Sequence, residues 1–139
     1  MDPGFEIADH TADVFIRAFG PGREDVFVQA ALAMFSLICD PATVKARDDH
    51  PLVLEASSDE LLLAAWLNEL LYLFETRRVV FASFVVDEGE GGRRWARARG
   101  EPQDPDRHEV HAQVKAATYH DLELRRVDGG WEGTVLLDV

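Results

Sequence analysis

Residues 57–86 read SSDELLLAAWLNELLYLFETRRVVFASFVV, and the fold turns on where the period changes inside this stretch. Up to Arg78 the pattern is helical. Ser57 followed by Glu60 has capping-box spacing, in which the hydroxyl and the carboxylate each take a backbone N–H at the helix start. The oily run that follows ends on Arg77 and Arg78, whose charge suits the C-terminal end of a helix dipole. Asn68 and Glu69 interrupt it and read as a solvent-facing pair. From Val79 the period becomes two, as in a strand.

Working outward, the same alternation recurs in RWARARGE (94–101), EVHAQVKAATY (109–119), LELRRV (122–127) and WEGTVLLDV (131–139), which with VVFASFVV make five strand candidates. Gly91-Gly92 and Asp128-Gly129-Gly130 mark hairpin turns, and PQDPDRHE (102–109) reads as a loop. On the N-terminal side, ADVFIRAF (12–19) is a half-buried strand. Its Ala12, Val14, Ile16 and Ala18 lie on one face, and Asp13, Phe15, Arg17 and Phe19 on the other. GPG breaks it at 20–22, and a helix over about 23–39 follows, with Glu24 and Asp25 in its first turn. DPATVKARDDHP (40–51) is then a polar loop and LVLEASS (52–58) a short strand. Strand, helix, strand, helix and a run of strands predict an α+β fold. Two main helices pack on a mostly antiparallel or mixed sheet, and residues 1–139 form one domain.

Composition narrows the function. The chain has 139 residues, 47% of them hydrophobic, yet no window nears the roughly 20 unbroken apolar residues of a membrane span. MDPGFEIADH has neither the basic nor the apolar part of a secretory signal. Cys39 is the one cysteine, lies in an apolar run, and reads as a buried inert thiol in a reducing, cytoplasmic setting. The formal charge is −12, and residues 1–76 hold 4 Lys/Arg against 14 Asp/Glu. Such a chain repels nucleic acid and suits a divalent cation or a basic protein partner. The arginines of RRWARAR (93–99) read as a solvated strand face.

Several chemistries are absent. There is no P-loop, no EF-hand loop and no serine in a nucleophile elbow. His108 and His111 are three apart, which on a strand sends them to opposite faces and argues against zinc. Carboxylates remain. DHTADV (9–14) crowds hard oxygens at the mouth of the first strand, where Asp13 sits, and Asp138 closes the last strand beside Val139. If those strands are neighbours, two or three hard oxygens converge, a set that calcium or magnesium accepts; the plain alternative is a pair of solvated strand ends. Lys115 is one of 2 lysines against 12 arginines and lies mid-strand. It either snorkels to solvent or presents a point charge to a phosphate or carboxylate.

DHTADV, AALAMFSLICD, AAWLNELLYLFET, KAATYHDLEL and the final GGWEGTVLLDV, in this order, resemble the archease family from about residue 5 onward. The resemblance implies an α+β protein that partners the RtcB-type RNA-splicing ligase in tRNA splicing and RNA repair. It implies that the chain promotes ligase guanylylation and multiple turnover and does no covalent chemistry itself. It also implies a divalent metal, calcium, with magnesium or manganese as alternatives, held by Asp13, Asp138 and Val139, and a functional lysine at Lys115. Thr11 and His10 would shape the turn that aims Asp13. One departure is Val14-Phe15, where relatives often carry a smaller residue, and this bulk is expected to narrow access to the site. Two rivals remain: a metal-dependent phosphoesterase built on Asp13 and Asp138 with Lys115 as phosphate anchor, and a holdase with a large exposed apolar patch.

Overall fold

The computed structural model describes residues 1–9, 12–87, 92–111 and 114–139. Two helices, α1 (Arg23–Ile38) and α2 (Asp59–Arg77), lie between two antiparallel sheets and touch both. The first sheet contains β1 (Gly4–Asp9), β2 (Asp13–Gly20), β6 (Ala116–Ala117), β7 (Glu123–Val127) and β8 (Gly130–Asp138). Its order is β1-β2-β8-β6, with β7 also on β8. The second sheet places β5 (Arg93–Pro102) between β3 (Asp48–Glu55) and β4 (Val79–Val86). The α+β expectation holds, with two sheets in place of one.

Each helix starts and packs for a local reason. The Gly22 N–H donates to the Asp25 carboxylate at 2.8 Å, which holds the first turn of α1. Ser58, one residue later than the spacing suggested, caps α2 by accepting from the Leu61 N–H at 3.2 Å. The Trp66 ring is fully buried, and its indole N–H donates to the Phe27 carbonyl at 2.9 Å. Phe35 meets Phe81 edge-on at 5.4 Å between ring centroids, which joins α1 to the second sheet. Gly133 lets the helices approach the first sheet, since a Cβ there would lie 2.5 Å from Val26 Cγ1 and 3.3 Å from Leu63 Cδ2. At the β7–β8 hairpin, Gly129 supplies the positive φ of 83° that the tight turn requires.

Four expectations change. β1 was not foreseen, because GFEIAD offers only Phe5 and Ile7 as inward apolar residues. The loop at 40–51 gives way to strand at Asp48, where β3 begins pairing with Gly100. Of the strand foreseen over 109–119, only Ala116–Ala117 pairs with β8 as a strand; Val110 makes one isolated bridge to Cys39, and residues 112–113 lie outside the described set. On β5 the arginines divide. Arg93, Arg97 and Arg99 are exposed and pair with Glu55 or Asp49, but Arg94 is buried, bonded to Asp59 and set over the Phe27 ring. Among the described residues no helix is long and apolar enough to cross a membrane.

Candidate functional site

β2 and β8 are the central strands of the first sheet, and their register pairs Val14 with Leu137, both facing the core. One step further the period of two turns the next pair to the other face. That pair is Asp13 and Asp138. Directly opposed residues of an antiparallel pair carry Cβ atoms about 4.5–5.5 Å apart, so the two carboxylates are near neighbours. On its far side Asp138 is matched by Ala116, and its carbonyl accepts the Lys115 N–H at 2.8 Å. Val139 follows Asp138 and is exposed. The four residues singled out in the sequence therefore meet at one end of one sheet.

Lys115 does not lie mid-strand. It precedes the two-residue β6, with its side chain exposed between buried Val114 and half-buried Ala116. Of the Val14-Phe15 pair, Val14 points into the core and Phe15 shares Asp13's face. Thr11 and His10 lie outside the described residues.

The donor set suits a hard cation in kind. Two carboxylates on facing strand positions repel each other, and among the described residues neither has an ion-pair partner. A divalent ion would remove that repulsion, and oxygen donors are what calcium and magnesium select. No group of three or more His, Cys, Asp or Glu side chains suited to a metal occurs among the described residues. Among the described residues zinc has no comparable set: His108 is buried with both ring nitrogens engaged, and His111 is exposed.

Two polar arrangements escaped the reading of the sequence. Asn68 is not solvent-facing. Its Oδ1 accepts the Ala117 N–H at 2.8 Å and its Nδ2 donates to the Ala117 carbonyl at 3.1 Å, while Glu69 next to it is exposed. The available signal was its place on α2, three residues from buried Leu71 and four from buried Ala64. The second is a buried carboxylate. Glu101 takes a two-pronged bond from Arg107 at 2.6 and 3.0 Å and the Lys45 N–H at 2.6 Å, with the His108 ring 3.2 Å away. The Asp104 N–H donates to His108 Nδ1 at 2.8 Å, which places the imidazole proton on Nε2, facing Glu101 and the Thr43 carbonyl. The Arg107 bonds first, then the Lys45 N–H, hold the Glu101 carboxyl down at about 2. This clasp closes the 103–110 loop onto the segment after α1.

Known proteins resemble the chain over nearly its whole length. The pattern of the archease protein family matches residues 5–139. Protein archease of Methanosarcina mazei is 41% identical over 140 residues, covering 97% of this chain and 95% of that protein. The solution structure of protein 1598 of Methanobacterium thermoautotrophicum is 35% identical and superposes with a TM-score of 0.85 over 98% of this chain and 99% of that one. A crystal structure from Thermotoga maritima, described as an archease and possible chaperone, is 14% identical over 96% of each chain; its TM-score of 0.63 speaks for the fold alone. On the family match and the identity to its members, this chain belongs to the archease family.

Proposed function

We propose that this protein activates an RtcB-type RNA-splicing ligase, promoting guanylylation of the ligase and its multiple turnover, without covalent chemistry of its own. The observation that carries the reading is the meeting of Asp13, Asp138 and Lys115 at one sheet end through strand register and one backbone hydrogen bond. Asp13, Asp138 and the Val139 carboxylate would hold a divalent cation, calcium in the first instance. When bound, that ion supplies a positive charge able to attract phosphate oxygens. Lys115 adds an exposed ammonium at the same sheet end, on a side chain long enough to reach into a partner's cleft.

Electrostatics supports the same partner. A chain of formal charge −12 is drawn to a basic, RNA-binding cleft. It does not compete for RNA in that cleft by binding RNA itself. The test is a guanylylation assay with purified ligase limiting, with and without this chain, in calcium and in chelator. Stimulated ligase–guanylate formation and repeated RNA joining support the proposal. Release of phosphate from RNA or nucleotide by the chain alone would replace it with the phosphoesterase reading.

A further inference from the structure

We infer that Asn68 is a positioning residue that fixes Lys115 relative to the Asp13–Asp138 pair; this rests on the function proposed above for Lys115. β6 is only two residues long and pairs with β8 on one side. Ala117 turns its N–H and C=O away from β8, toward the side where a further strand would sit. At an edge those two groups normally face water or another chain. Here the Asn68 side chain takes both, at 2.8 and 3.1 Å, and so stands in for the missing strand. Asparagine suits this because its planar amide presents one acceptor and one donor side by side. Oδ1 facing the N–H and Nδ2 facing the carbonyl is the one orientation that satisfies both groups.

The amide is mounted on a rigid support. Asn68 lies in the middle of the 19-residue α2, flanked along the helix by fully buried Ala64, Leu67 and Leu70. The far end of the same short segment is held by the Lys115 N–H on the Asp138 carbonyl. Lys115 is thus itself tied to the strand that carries Asp138, and two residues further on Ala117 ties the same segment to the helix. Without Asn68 the segment keeps its β8 bonds and its apolar packing but loses both hydrogen bonds to α2. A two-residue strand then has little to hold its register. A lysine with a long, mobile side chain works best from a fixed backbone, because a supporting shell decides where its charge is delivered.

The test uses Asn68→Asp and Asn68→Leu in the full chain. The first keeps the shape and loses the donor, and the second loses both bonds. Three quantities are read: the melting point, amide hydrogen exchange at Lys115, and ligase guanylylation at saturating concentrations of the variant. We expect both variants to stay folded at the assay temperature, with the Lys115 amide exchanging about tenfold faster, the factor that one lost net hydrogen bond represents. We also expect maximal stimulation to fall several-fold at saturation. A role in stability alone would lower the melting point and leave saturated stimulation intact, which overturns the inference. Unchanged exchange at Lys115 overturns it as well. If the unaltered chain stimulates no ligase, the proposed function fails by itself, while exchange at Lys115 still decides whether Asn68 holds the segment. Should both variants unfold, the Asn68 side-chain amide of the unaltered protein decides: slow exchange of one Nδ2 proton supports the clamp, and solvent-like exchange of both refutes it.

Discussion

Asp13 and Asp138 are direct cross-strand partners, two carboxylates set against each other at the ends of the central strands of one sheet. Like charges so placed destabilise a sheet. The first prediction follows from that sign. Asp13→Asn or Asp138→Asn should slightly raise the melting point in chelator, since either substitution removes the repulsion while keeping the shape. In calcium the order should reverse. A ligand that binds only the folded state adds about 2.7 kcal/mol at a hundredfold excess over its dissociation constant, and the variants should lose most of that increment. Thermal melts of the parent and both variants, in calcium and in chelator, decide the matter. Equal responses to calcium would remove these two residues as ligands.

A second prediction concerns Val139. If its α-carboxylate is a third oxygen donor, extending the chain by a C-terminal tag replaces that carboxylate with a neutral amide and adds bulk at the site. Calcium affinity, followed by titration calorimetry, should fall at least tenfold, while an N-terminal tag leaves it unchanged. Equal affinities of the two tagged forms would exclude the terminal group.

The sequence was most legible where period and polarity agree. The switch to a period of two after Arg78, the oily α2, and the alternation of 12–19 each place an element within a residue or two of its observed bounds. The end-to-end placement of Asp13 and Asp138 was legible only on the condition that their strands pair, and a register cannot be read from one strand. Other features depend on contacts distant in sequence. Asn68 looked like a break in an apolar face because its partner, Ala117, lies 49 residues away. The 109–119 segment alternates like a strand, but Val110 bridges to Cys39 while Ala117 pairs with β8, so among its described residues only Ala116–Ala117 forms strand. Arg94 resembles its exposed neighbours in RRWARAR and is buried because Asp59, on another element, receives it.

Glu101 contributes to the acid limb of stability. Its carboxyl is lowered from 4.5 to about 2 by Arg107 first and the Lys45 N–H next. A carboxyl depressed on folding contributes stability that is complete above its ordinary value and is lost as pH falls through the folded one. That contribution should therefore fade between about 4.5 and about 2. Glu101→Gln should destabilise the chain at neutral pH, because Arg107 then faces an amide, and should flatten the stability profile across that window. Denaturant unfolding at a series of pH values measures both effects. A variant with the parent's acid slope would show that other carboxylates govern it.

The last prediction separates folding from function at Lys115. Its side chain is exposed and makes no ion pair among the described residues, so the fold gains little from it. Lys115→Ala should therefore melt within about 0.5 kcal/mol of the parent, as surface substitutions usually do. Its backbone N–H still reaches the Asp138 carbonyl in the variant, so the strand end should keep its shape. If the ammonium contacts the ligase or a phosphate held there, this folded variant should stimulate guanylylation at least tenfold less than the parent, with calcium affinity unchanged. Lys115→Arg keeps the charge but spreads it over a planar fork with different reach, and should retain part of the stimulation. The two substitutions together distinguish charge from shape: loss in Ala with partial retention in Arg identifies charge as the active property, and equal loss in both identifies the compact ammonium. Full stimulation by folded Lys115→Ala would return this lysine to the solvated surface and leave the carboxylate pair to act alone.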